Sequence, residues 1–196
     1  LALIESLQAG KAMAFSINDD HWLNAVRQVP SPFHDARATE ADITLLVIHN
    51  ISLPPGQFGG PYIEQLFTGQ LDPAEHPYFA EIHQLRVSAH CLIRRDGEVI
   101  QFVPFNARAW HAGVSEFEGR AKCNDFSIGI ELEGTDTMPY TPAQYDTLKA
   151  LTLALMKTYP AITRPRITGH EFIAPGRKTD PGLAFDWHRY KTALKD

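Results

Sequence analysis

ITLLVIHN, residues 43–50, decides the architecture. It is a β-rich apolar run that ends in a polar pair, the pattern of a buried central strand. DFSIGIELEG (125–134) alternates instead: Ile128, Ile130 and Leu132 face one way, Gly129, Glu131 and Glu133 the other. HCLIRRDGEVIQFV (90–103) reads as a β-hairpin turning at Asp96-Gly97. Between these strands lie helical segments. TPAQYDTLKALTLALMKTYP (141–160) spaces Tyr145, Leu148, Leu151, Leu155, Met156 and Tyr159 along one face, with Thr141 as cap and Pro142 at the first helical position. GGPYIEQLFTG (59–69) predicts a helix begun by Pro61 and closed by Gly69. SINDDHWLNAVRQVPSP (16–32) predicts a short helix capped by Asn18 or Asp19 and stopped by Pro30. Strands and helices mixed in this order predict an α/β (α+β) single domain, a central sheet covered by helices. Residues 52–79, rich in Pro and Gly, are expected to form a long irregular substrate loop.

Composition narrows the function. A chain of 196 residues with 44% hydrophobic and 21% charged residues builds one globular core. A net charge of -5, without a basic stripe interleaved with aromatics, argues against a nucleic-acid partner. The longest apolar runs, about seven residues, are too short to span a bilayer. The two cysteines, Cys91 and Cys123, are no disulfide scaffold; free thiols in a reducing compartment are the reading, a single bridge the alternative. Residues 1–20 are expected to be an N-terminal extension or a vector remnant, with Met13 as natural start, and 21–196 the functional domain. LALIESLQAGKAM lacks the basic and apolar regions of a signal peptide, so a cytoplasmic location is expected.

The chemistry concentrates in ITGHEFIAPGRKTDPG (167–182). Its glycines and prolines predict neither a regular helix nor a central strand, yet it carries His170, Lys178 and Asp180. His49 closes the buried run, where a rigid strand opens onto a crevice. Two imidazoles and a carboxylate suit a zinc ion that keeps one position open. Glu131, beside Gly129 and Glu133, could act as general base near such an ion. Lys178 could stabilise an oxyanion. Each has a plainer reading: a strand-end histidine on a carbonyl, a turn-forming aspartate, an exposed sheet face with two solvated acids, a solvated lysine.

VIHN, SAHCLIRRDGEVIQFVP, AWHAG, NDFSIGIELEGTD, YPAI and ITGH…IAPGRKTDPG resemble, in order and from about Trp22 to Tyr190, the N-acetylmuramoyl-L-alanine amidases of the AmpD type. They are similar also to phage amidase lysozymes and to peptidoglycan-recognition proteins. The resemblance implies a central mixed β-sheet flanked by helices and one catalytic Zn2+ on His49, His170 and Asp180, with Glu131 as acid/base and Lys178 as oxyanion stabiliser. Phage relatives use cysteine at the Asp180 position. It implies cleavage of the amide between the lactyl group of 1,6-anhydro-N-acetylmuramic acid and L-alanine, during peptidoglycan recycling. Asn50, Arg86 and Trp110 would line the substrate groove, and Lys122 falls where some relatives carry arginine. The partner implied is a small molecule, an anhydro-muropeptide, and the expected state is a monomer with neither nucleic acid nor membrane. In some bacteria such enzymes restrain β-lactamase induction. The rival readings are a non-catalytic muropeptide-binding module and a cysteine amidase using Cys91 or Cys123; in a strand, His90 and Cys91 point to opposite faces.

Overall fold

The computed structural model describes residues 13–39 and 42–195. In chain order the strands are β1 (Arg27–Gln28), β2 (His34–Ala36), β3 (Leu45–Ile51), β4 (Cys91–Ile93), β5 (Val99–Gln101), β6 (Ala107–Ala109), β7 (Glu116–Phe117), β8 (Arg120–Ala121), β9 (Ser127–Glu133) and β10 (Ile167–Gly169). The helices are α1 (Tyr62–Phe67), α2 (Pro77–Ile82), α3 (Pro142–Thr158), α4 (His170–Ile173) and α5 (Trp187–Ala193). A six-stranded mixed sheet runs β1-β5-β4-β9-β3-β10, the central mixed sheet that the resemblance implies. The β4–β5 hairpin is antiparallel, while β10–β3, β3–β9 and β4–β9 are parallel.

Alternation along the strands divides the sheet into two buried faces. Leu46, Ile48, Cys91, Ile93, Ile128, Ile130 and Leu132 pack with Leu148, Leu151 and Leu155 of α3 and Tyr190 of α5. On the other face Leu92 and Ile100 meet Ile63, Leu66 and Phe67 of α1 and Phe79 of α2, while Leu45 and Val47 meet Ala112, Phe126 and Ile173. Each leucine taken fully out of water on α3 contributes about 1.5–3 kcal/mol. The start of α3 is fixed by a capping box: the Gln144 backbone N–H donates to Thr141 Oγ1 and the Thr141 N–H donates to Gln144 Oε1, both at 3.1 Å. Thr141→Ala should therefore cost about 1 kcal/mol, read as a lower urea midpoint at unchanged slope; an unchanged midpoint would deny the cap its role.

Three expectations need correction. Residues 16–28 form no helix: Ile17 bridges Leu23, and Asn18 Oδ1 accepts the N–H groups of Asp20 and Trp22. The asparagine caps a turn, and Val26 packs against the core from the bend before β1. The segment 52–79 is not structureless, because α1 and the start of α2 interrupt it and its apolar residues cover a sheet face. The stretch 167–182 opens with an edge strand and one helical turn, β10 and α4, before its loop begins. Of the expected extension, residues 1–12 lie outside the described residues, while Phe15 and Ile17 pack on the core. Both cysteines are buried free thiols. No helix among the described residues is long and apolar enough to cross a membrane.

Candidate metal centre and its groove

Parallel strands β3, β9 and β10 aim their C-terminal ends at one crevice, the usual ligand position of such sheets. His49 on β3 sits opposite Glu131 on β9 in the strand register, so the ladder itself sets them side by side. His170 follows directly where β10 ends at Gly169. Asp180 returns to it through the loop, its carbonyl accepting the Glu171 N–H at 2.9 Å. His49, His170 and Asp180 can together hold a metal ion. They open into a groove of about 720 Å³ that Glu131 and Lys178 also line.

The hydrogen bonding around the two imidazoles is directional. His170 Nε2 lies 3.0 Å from the Ala112 carbonyl, which can only accept, so in the neutral ring Nδ1 presents a lone pair. That Nδ1 is 3.0 Å from His49 Nδ1, and each lies 3.2 Å from an Asp180 oxygen. Electron-pair donors this close repel unless a proton or a cation lies among them. The spacing is close to the edge of a tetrahedron with metal bonds of about 2.0–2.1 Å, roughly 3.3 Å. The residues fit a tetrahedral divalent metal.

Burial lowers the His49 pKa, favouring the neutral ring a metal requires. Burial works to raise that of Asp180, but the bonds and charges of His170 and His49 outweigh it and hold the carboxylate well below its ordinary value. Glu131 goes the other way. Burial, reinforced by the negative charge of Asp180, pushes its carboxyl well above the usual range, against the pull of Lys178. Its Oε1 is 3.9 Å from His49 Nδ1, and its buried Oε2 has no hydrogen-bond partner. A buried oxygen without a partner is costly, and the residue that carries it lines the groove. Glu133, read with it as a possible second solvated acid, is buried and serves the fold: it accepts from Arg94 Nη1 at 3.1 Å and from the Gly59 and Arg95 N–H groups.

The remaining positions separate. Asn50 lines the groove with its Nδ2 donating to Asp136 at 2.7 Å and Tyr140 at 3.0 Å. Trp110 lines the groove too and donates from Nε1 to Asp35. Arg86, exposed and 5.7 Å above the Phe33 ring, lines an adjoining cavity of about 250 Å³ with Trp110, Arg177 and Lys178. Lys122, exposed and left-handed at φ 60°, lines neither cavity. Cys91 and Cys123 are both buried and line neither cavity, and burial raises both thiol pKa values, against the accessible thiolate a cysteine amidase needs. His111 is the residue that sequence reasoning passed over: its Nδ1 lies 2.8 Å from His49 Nε2. The only signal was its place in AWHAG.

The chain belongs to the N-acetylmuramoyl-L-alanine amidase family, whose profile matches residues 39–183, and it is an amidase of that class. It is 65% identical over 173 residues, 88% of this chain and 94% of the relative, to the 1,6-anhydro-N-acetylmuramyl-L-alanine amidase AmpD of Escherichia coli K12. AmpD of Haemophilus influenzae is 61% identical over the same shares. Among solved structures, a selenomethionine AmpD crystal structure superposes with a TM-score of 0.88 at 62% identity, covering 91% of this chain and 99% of that one. AmiD of E. coli, solved with anhydro-N-acetylmuramic acid-L-Ala-D-γ-Glu-L-Lys, gives 0.58 at 27% identity, covering 90% and 65%.

Proposed function

We propose that residues 21–196 form a zinc-dependent amidase domain that cleaves the bond between the lactyl group of 1,6-anhydro-N-acetylmuramic acid and the L-alanine of the stem peptide. The observation that carries it is the convergence of His49, His170 and Asp180 beside the partnerless oxygen of Glu131. The substrate rests on the high identity to AmpD proteins and on the ligand seen in AmiD. The reading places the protein in the cytoplasm, as a monomer acting in peptidoglycan recycling, where it would influence β-lactamase induction.

When bound by the two Nδ1 atoms and the Asp180 carboxylate, zinc supplies Lewis acidity toward the scissile carbonyl. Glu131 accepts a proton from the attacking water as the new C–O bond forms. It returns that proton to the alanine nitrogen as the C–N bond breaks. The products are a lactyl carboxylic acid and a peptide with a free amine. Lys178 faces the negative oxygen of the tetrahedral adduct with its ammonium group. Trp110 offers a flat wall to the sugar, Asn50 its amide oxygen to a substrate N–H, and Arg86 a fork for a peptide carboxylate. Lys122, outside both cavities, would meet only the far end of the stem peptide, as a point charge.

The test is mass spectrometry of 1,6-anhydro-N-acetylmuramyl-tripeptide incubated with the protein, with and without a zinc chelator. Free anhydro-sugar and tripeptide only in the untreated sample is the expected result. Intact substrate in both, from zinc-loaded folded protein, would leave a binding module.

A further inference from the structure

We propose that His111 and Asn124 are positioning residues: together they lock the loop that orients both histidine ligands of the metal. The inference rests on the zinc reading above and concerns what stands behind the ligands. His49 Nε2 faces His111 Nδ1 at 2.8 Å, and His170 Nε2 faces the carbonyl of the next residue, Ala112, at 3.0 Å. Two consecutive residues of one loop therefore hold the rear nitrogens of two ligands that are 121 positions apart.

The polarity of these bonds follows from the front of the site. A cation among the Nδ1 atoms requires both to be unprotonated, so both Nε2 atoms carry hydrogen and must donate. The Ala112 carbonyl accepts one. His111 Nδ1 accepts the other, which puts the His111 proton on Nε2, facing Ser127 Oγ at 3.1 Å. Every partner in this chain then has a complementary role.

The loop is itself clamped. Asn124 Oδ1 accepts the backbone N–H of His111 at 3.1 Å and of Ala112 at 2.9 Å. The Asn124 carbonyl is held in turn by the buried guanidinium of Arg37, at 3.1 Å. Arg177 Nη2 adds a second donor to the Ala112 carbonyl. The His111 ring lies flat against β9 at Gly129, where an added Cβ would come 2.6 Å from its Cγ. Outer partners of this kind fix ligand orientation and raise ligand basicity.

The test compares zinc affinity, by competition against a chromophoric chelator, for wild type, His111→Phe, His111→Asn and Asn124→Ala. Phenylalanine keeps the ring volume and loses the acceptor; asparagine puts an oxygen where Nδ1 was. His111→Phe should weaken zinc about 10–100-fold, His111→Asn should recover most of that loss, and Asn124→Ala should weaken zinc as well. Long-range nitrogen-15 spectra of the zinc-loaded wild type should show hydrogen on Nε2 of both His49 and His170. Wild-type affinity in His111→Phe, or equal loss in the phenylalanine and asparagine variants, would overturn the proposal. If His111→Phe does not fold, Asn124→Ala decides, because it leaves both imidazoles in place. A wild type that binds no zinc would sink the metal reading itself, a result distinct from these.

Discussion

Glu131→Gln is expected to bind zinc as tightly as wild type and to turn over substrate about 10²–10⁴-fold more slowly. The amide has nearly the shape of the carboxylic acid but cannot take a proton from water and hand it to nitrogen. That range corresponds to about 2.7–5.4 kcal/mol of transition-state stabilisation. Retention of the metal follows from the geometry, since Glu131 Oε1 stands 3.9 Å from His49 Nδ1 while the ligand atoms lie 3.0–3.2 Å apart. The folded state should not suffer, because the group replaced is a buried carboxylate with one oxygen lacking any partner. Glu131→Ala should behave alike. Metal content by atomic spectroscopy and turnover by mass spectrometry are the two readings. Wild-type rates in either variant would remove Glu131 from the chemistry.

His170→Ala should lose metal and activity together. Its Nδ1 is one corner of a triangle of donors, 3.0 Å from His49 Nδ1 and 3.2 Å from an Asp180 oxygen, so its removal leaves two donors and a gap. Zinc should raise the melting temperature of wild type: at one hundred times the dissociation constant, binding adds about 2.7 kcal/mol to stability. The variant should show no such rise at the same zinc concentration. A His170→Ala protein that kept stoichiometric zinc after dialysis would put the ion elsewhere.

The fold was legible where periodicity is strong. The run at 43–50, the alternation at 127–133 and the apolar face of α3 each announced a strand or helix because burial on known faces left no other pattern. It was least legible at 16–28, where polar caps suggested a helix but local side-chain bonds and left-handed residues at His21 and Ala25 made turns. Glu131 could be put on the same strand face as Gly129 from alternation alone; that His49 stands beside it depends on the β3–β9 register, which no local pattern encodes. Glu133 looked like its twin and is instead a partner of Arg94, because pairing across the sheet decides the role of a carboxylate. His111 was invisible as a site residue: its importance lies in touching a side chain 62 positions away.

The pairing of His49 with Glu131 separates two tasks within the site. The spacing between His49 and Glu131 is set by backbone pairing in the sheet's interior, whereas much of the groove wall comes from the segment around α1 and α2. On the proposed reading, reactivity and selectivity then reside in different parts of the chain. On the same reading, substitutions in that wall should change which wall fragment binds and leave the spacing of His49 and Glu131 untouched.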